Sequence, residues 1–217
     1  MTPAPTALLH DGPADGPVLL LAHGAGAPMD SDFMNEMAGI VAGFEIQVVR
    51  FEFAYMRARR ADGKRRPPPR LPGLIEEFRQ VMSRFSNRPV FIGGKSMGGR
   101  VASMIAADPA DGDDIAGLVC LGYPFHPPGK PDTLRTAHLP AIKCPALIVQ
   151  GERDPFGNRD DVSGYDLPAN MQVFWSAFGN HDLAPPKKSG LTVQDNRSSA
   201  AKAVAGFIAH NVQGELQ

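Results

Sequence analysis

Two periodicities alternate along the chain. Short, mainly apolar runs stand at 18–22, 46–53, 89–93, 117–123, 146–150 and 171–176, and runs of that length predict strands covered on both faces. Between them the apolar positions shift to a helical spacing. The clearest case is 71–85, where Leu71, Leu74, Ile75, Phe78, Val81, Met82 and Phe85 share one face and Glu76, Glu77, Arg79 and Arg84 the other. Further helices are expected after Asp30 to Asp32, from near Ser96 to before Asp108-Pro109, and over about 198–211 with Val204, Phe207 and Ile208 turned inward. Strands alternating with helices predict an α/β fold with a mostly parallel central sheet and helices on both faces. Such sheets present functional residues at the carboxyl ends of their strands. The loops after Ala22, Phe53, Gly93, Tyr123, Gln150 and Ser176 are therefore where chemistry is expected.

Composition narrows this picture. A length of 217 residues suits one domain spanning 1–217, and a net charge of −1 gives no global field for nucleic acid or a membrane surface. The amino-terminal stretch carries neither a cationic leader nor a long apolar run, so a cytoplasmic protein is expected. The two cysteines, Cys120 and Cys144, fall in or beside apolar runs and read as buried thiols. Without clustered histidines they make no metal signature, and neither metal nor cofactor is expected. Oligomeric state is not legible.

The loop after the third run reads Gly94-Lys95-Ser96-Met97-Gly98, between the apolar Val90-Phe91-Ile92 and a helical pattern. A serine on so tight a strand-to-helix turn takes a strained backbone that holds its hydroxyl clear of the sheet. Side chains two residues to either side would collide with neighbouring chain, which is why glycine is wanted at Gly94 and Gly98. The amide of Met97, in the first turn of the helix, is aimed where an oxyanion would form. Lys95 is expected to be an exposed turn residue.

A serine hydroxyl needs a base within reach, and the base needs an orienting partner. Of six histidines, only His181 follows the last strand and precedes the last helix, where the chain order nucleophile, acid, base would put it. His10, His138 and His210 fall in the leader, a proline-rich connection and the end of the final helix; His126 follows Tyr123 and is kept as a substrate contact or alternative base. Asp154, in Gly151-Glu152-Arg153-Asp154-Pro155, lies between nucleophile and base and is the expected acid, with Glu152 and Asp182 as runners-up and Asp160 and Asp161 as caps or solvent-facing groups. In His23-Gly24-Ala25-Gly26, Ala25 is the expected second oxyanion donor with Gly26 behind it, and His23 is expected to brace the loop.

These residues resemble a known family. His23-Gly24-Ala25-Gly26, Phe51-Glu52-Phe53, Arg65-Arg66-Pro67-Pro68-Pro69-Arg70, the turn 94–100 and Gly151-Glu152-Arg153-Asp154 look like the small cap-less α/β-hydrolases, distantly related to dienelactone hydrolases. That family includes an animal testis-expressed protein and a subunit of a histone acetyltransferase complex. The resemblance spans nearly the whole chain and implies an α/β-hydrolase fold without a large cap, hydrolase activity on an undefined substrate and, in the chromatin-associated branch, a scaffolding role. Dienelactone hydrolases proper use a cysteine where this chain has Ser96, which argues against that particular activity.

The substrate is less legible. Seven basic residues, Arg57, Arg59, Arg60, Lys64, Arg65, Arg66 and Arg70, face the single acid Asp62 within 57–70. Such a run ordinarily reads as a solvated loop; its place after a strand's carboxyl end also suits an anionic small-molecule substrate or a partner. Tyr55, Met56, Phe125 and Phe156 are candidate apolar walls. The reading is a serine hydrolase of small carboxylic esters or thioesters, working through an acyl-enzyme. The alternatives are a hydrolase-fold binding or scaffold protein, and a hydrolase of peptide or carbon–carbon bonds.

Overall fold

The computed structural model describes residues 7–85, 88–112 and 115–214. Its strands are β1 (Leu8–Asp11), β2 (Val18–Ala22), β3 (Gln47–Phe51), β4 (Val90–Lys95), β5 (Ile115–Leu121), β6 (Ala146–Gly151) and β7 (Met171–Ser176). They form one sheet in the order β1-β3-β2-β4-β5-β6-β7. Only the β1/β3 pair at the edge is antiparallel; the other pairs are parallel. The helices are α1 (Asp32–Ala42), α2 (Ala54–Asp62), α3 (Leu71–Met82), α4 (Met97–Ala106), α5 (Arg159–Ser163) and α6 (Val193–Gly214).

Strand β2 shows why its run is apolar at every position. Val18, Leu20 and Ala22 point to a layer holding Leu74 and Phe78 of α3 and Val101 and Ile105 of α4. Leu19 and Leu21 point the opposite way, to Phe33 and Met37 of α1 and Val204 and Ile208 of α6. Successive side chains of a strand alternate faces, so a strand covered on both sides must be apolar at every position. Each large side chain so buried contributes about 1.5–3 kcal/mol, and the two layers fix the strand ends from which the site is built.

Several boundaries differ from those the pattern predicts. The half-buried β1 has no apolar run to announce it. Residues 54–62, expected as part of a basic loop, form α2, ended by Gly63 at φ 71°. Helix α6 starts five residues earlier than the 198 expected, at Val193, and α3 stops at Met82, its last turn tightening into a 3-10 turn over Ser83–Phe85. Among the described residues, the β5 to β6 connection holds one 3-10 turn, Leu139–Ala141, and no helical cap. No described helix is long and apolar enough to cross a membrane. The first six residues of the stretch considered for a leader lie outside the described residues.

Candidate active site

Strand β4 ends at Lys95 and α4 begins at Met97, leaving Ser96 alone on the turn at φ 51°, ψ −111°. A non-glycine residue with positive φ costs of order 1–3 kcal/mol and persists only where its surroundings enforce it. Here they do. The Ser96 N–H donates to Leu121 O at 2.9 Å. A Cβ on Gly94 would stand 2.5 Å from Ala22 O, and one on Gly98 would stand 2.5 Å from Ala22 O and 2.7 Å from His23 O. Both positions therefore require glycine, as the tight-turn argument predicts. Met97 opens α4, so its amide is among the first-turn N–H groups that the helix leaves unused.

The neighbouring strand ends supply a carboxylate and an imidazole. Asp154, three residues beyond β6, is fully buried. Its Oδ1 accepts the Phe156 N–H at 2.8 Å; its Oδ2 accepts His181 Nδ1 at 2.8 Å and Gln150 Nε2 at 3.0 Å. With Nδ1 donating to a carboxylate, Nε2 of His181 is left as the acceptor. The ring lies over the end of β5: a Cβ on Gly122 would be 3.2 Å from His181 Nδ1. Consecutive residues, Leu121 and Gly122, thus hold the serine turn and seat the histidine ring. Phe156 stacks on that ring with centroids 4.3 Å apart.

The histidine loop is tied down on every side. Arg153 N–H donates to Gly179 O at 2.8 Å; Asn180 Oδ1 accepts the amides of Asp182 and Ala184, both at 2.9 Å; Asn196 of α6 donates to Ala177 O at 2.9 Å and Leu183 O at 2.8 Å. Phe178 and Leu183, which flank His181, hold φ of 54° and 62°.

Lys95 corrects the expectation of an exposed turn residue. It is 7% exposed, its Nζ donates to His181 O at 2.7 Å and pairs with Asp182 at 3.2 Å, and the ammonium lies 5.2 Å from the Phe33 ring centroid. Burial pushes its pKa down, opposed chiefly by the Asp182 charge. The side chain next to Ser96 thus grips the backbone of His181. No local signal announces this, because the partner is 86 residues away in the chain.

The loop after β2 is braced as expected. His23 is fully buried, with Nδ1 2.7 Å from Gly24 O and Nε2 accepting the Phe53 N–H at 3.2 Å. That pattern requires the neutral ring, and burial lowers its pKa. Tyr55 hydroxyl donates to Ala25 O at 3.0 Å, and Arg59 donates to Gly26 O at 2.9 Å. A Cβ on Gly24 would lie 3.9 Å from Ser96 Cβ, so this loop runs beside the serine.

The match to the Alpha/beta hydrolase domain family runs over residues 15–209. The chain belongs to the alpha/beta hydrolase family. Among solved structures, dienelactone hydrolase from Anabaena variabilis aligns with a TM-score of 0.69 at 17% identity over 94% of this chain and 91% of that one. Est1E from Butyrivibrio proteoclasticus aligns at 0.67 and 12% identity over 95% and 94%. A monoacylglycerol lipase from Paleococcus ferrophilus aligns at 0.68 and 12% identity over 96% and 100%. At such identities the likeness is one of fold.

Within this alpha/beta hydrolase the remaining candidates separate. Phe125 is fully buried against Tyr123 and Tyr165, and Met56 is buried in the core layer, so neither supplies an accessible wall. His126 is buried with Nδ1 2.9 Å from Pro127 O and Nε2 3.4 Å from Asp161, so both ring nitrogens are engaged, which corrects its candidacy as contact or base. Phe156 does reach the site, and Tyr55 reaches it only through the carbonyl it holds. Of the other acids, Glu152 accepts the Phe178 N–H and binds Arg159, Asp182 binds Lys95, and Asp161 closes a capping box with Asn158 at the start of α5. Gln150 was missed: fully buried, it donates to Asp154 and to the carbonyls of Tyr123 and Gly157. Its place at the end of β6, four residues before the acid, is the only sequence signal it offers.

Proposed function

We propose that this hydrolase cleaves small carboxylic esters or thioesters through a serine acyl-enzyme. The observation that carries the reading is the 2.8 Å bond from Asp154 to His181 Nδ1, on a ring that lies over Gly122, the residue after the one whose carbonyl anchors Ser96 at φ 51°. Ser96 Oγ attacks the carbonyl carbon while His181 Nε2 takes its proton, and Asp154 stabilises the imidazolium without itself taking a proton. The amides of Met97 and Ala25 receive the oxyanion. Collapse of the tetrahedral adduct breaks the bond to the leaving alcohol or thiol, which takes the proton from His181. Water, deprotonated by the same ring, then attacks the acyl-Ser96 ester, and the serine leaves with its proton restored.

Among the described residues the β5 to β6 connection carries one 3-10 turn and no helical cap, which suits small substrates, and the protein is proposed to act in the cytoplasm. The alternative, in line with the resemblance to the testis-expressed and acetyltransferase-complex branch, is a scaffold that keeps the constellation unused.

A panel of ester, thioester and peptide substrates on wild type and Ser96→Ala tests the proposal. Ester turnover is expected to fall by at least about 10³-fold in the variant. A folded wild type that ignores a fluorophosphonate probe would favour the scaffold; one that labels yet cleaves only peptides, or only a carbon–carbon bond substrate added to the panel, would shift the reaction class.

A further inference from the structure

Beside the loop after β2 lies a cavity of about 490 Å³, bounded by Ala25 and Gly26 on one side and by Arg59, Arg65, Arg66 and the prolines after them on the other. Among the described residues no carboxylate lines it. The one acid in this basic segment, Asp62, is engaged through both oxygens with Arg66, at 2.7 and 2.5 Å. Arg60, which does not line the cavity, is neutralised by Glu52 and Asp30. Arg59 spends one N–H on Gly26 O. Arg65 is exposed and makes no hydrogen bond or ion pair among the described residues. Three guanidinium groups thus border one hollow with a single carboxylate, outside it, to offset them. The whole chain has a net charge of −1, so this field is local.

We propose that the cavity binds an oxyanionic group of the substrate, a carboxylate or a phosphate, and that Arg65 with Arg66 makes the enzyme selective for anionic esters. The proposal rests on the esterase reading of Ser96 and names its substrate class. Three physical features support it. Guanidinium forks match oxyanions bidentately. Proline fixes the backbone that follows Arg66, so less order has to be imposed on binding. And the cavity begins at Ala25, whose amide is the candidate oxyanion donor, one residue from Gly24, which borders Ser96. Gly24 and Gly26 can be at most about 7 Å apart along the chain. An anionic group a few bonds from the ester carbon, as in a half-ester of a short dicarboxylic acid, is on that scale.

The test measures kcat/KM for three aryl esters of matched length, one neutral, one ending in a carboxylate and one in a phosphate. Calorimetric titration of inorganic phosphate and of succinate into Ser96→Ala protein reads binding without turnover. Wild type is expected to prefer an anionic ester by at least about tenfold, and Arg65→Gln and Arg65→Glu to reduce that ratio by about tenfold or more, in step with a loss of anion binding. Raising the salt should shrink the ratio as well. Whether the carboxylate or the phosphate arm leads identifies the group. Neutral-ester turnover that depends on Ser96, with no anionic preference or a ratio indifferent to Arg65, overturns this inference and leaves the esterase reading standing. Anion binding that depends on Arg65 in a protein that turns over none of the three esters overturns the esterase reading and leaves the anion site. Absence of both turnover and anion binding overturns the two together.

Discussion

Both halves of the site are enforced by close backbone packing, but the histidine half adds ties from side chains of distant elements. On the serine side the geometry is enforced by backbone against backbone: Gly94 and Gly98 sit where a Cβ would strike Ala22 O and His23 O, and Ser96 is anchored by a main-chain bond to Leu121. On the histidine side backbone also packs against backbone, since a Cβ on Gly151 would strike Asn180 O and Gly179 O, but the loop is held in addition by side chains from other elements, namely Asp154, Lys95 and Asn196. Steric exclusion between carbonyls has no graded response; it is satisfied or the chain moves. A set of hydrogen bonds and ion pairs can lose a member and keep its shape. The serine turn should therefore fail through folding, and loss of a side-chain tie on the histidine half should show as loss of rate.

The largest effect is expected at Gly98. Gly98→Ala puts a methyl group 2.5 Å from one carbonyl oxygen and 2.7 Å from another, and neither backbone can retreat without separating β2 from α4. A loss of about 3 kcal/mol or more in stability is expected, with activity lost alongside because the Met97 amide moves. Denaturant unfolding monitored through Trp175 measures it. An unchanged midpoint would mean that the serine half is no more rigid than its counterpart.

Lys95→Met should behave in the opposite way. It removes a buried ammonium whose desolvation already opposes its ion pair, and it keeps the apolar stem. The Tm is expected to stay within about 3 °C. Freed from Nζ, the carbonyl of His181 no longer ties the base to the serine turn, so kcat should fall by about 10- to 100-fold with KM changed less than about threefold. A fall in Tm with kcat intact would reduce Lys95 to a structural contact.

The same division governs what the sequence discloses. The elements that steric and hydrophobic rules dictate locally were legible: β2 falls on its predicted run because every position is buried, β7 falls on its run although it lies at the sheet edge with Gln172 exposed, and Gly94 and Gly98 follow from the tightness of the turn. Features that depend on distant partners were not. Lys95 reads as a surface residue until Asp182 and His181 are folded against it. Helix α2 reads as a solvated basic loop because its charges are answered from elsewhere, Arg60 by Glu52 and Asp30 and Arg59 by a carbonyl of the first loop. The four-residue β1 pairs only at a sheet edge, where half-burial erases the apolar run that marks the interior strands.

The smallest effect concerns pH, and it belongs to the serine half. His23 braces the first loop, and His138 lies 2.8 Å from the hydroxyl of Ser103 on α4, the helix that starts at the serine turn. Burial lowers the pKa of both rings, that of His138 from 6.5 to about 4, with the nearby Arg100 charge adding to the shift. Between those values the unfolded chain binds a proton that the folded chain refuses, so stability is full above pH 6.5 and declines as pH falls towards 4. At about 1.36 kcal/mol per unit the whole His138 shift would correspond to roughly 3 kcal/mol; its partial contact with solvent reduces this to about 1–2 kcal/mol. Melting curves at about pH 7.5 and about pH 5 should show the larger part of this loss in wild type and a smaller one in His138→Gln, which cannot titrate in the range. Because the affected ring supports α4 rather than the histidine loop, the acid-induced opening should register first as faster hydrogen exchange in 97–106. Earlier exchange in 177–184 would instead make the side-chain-held half the weaker of the two.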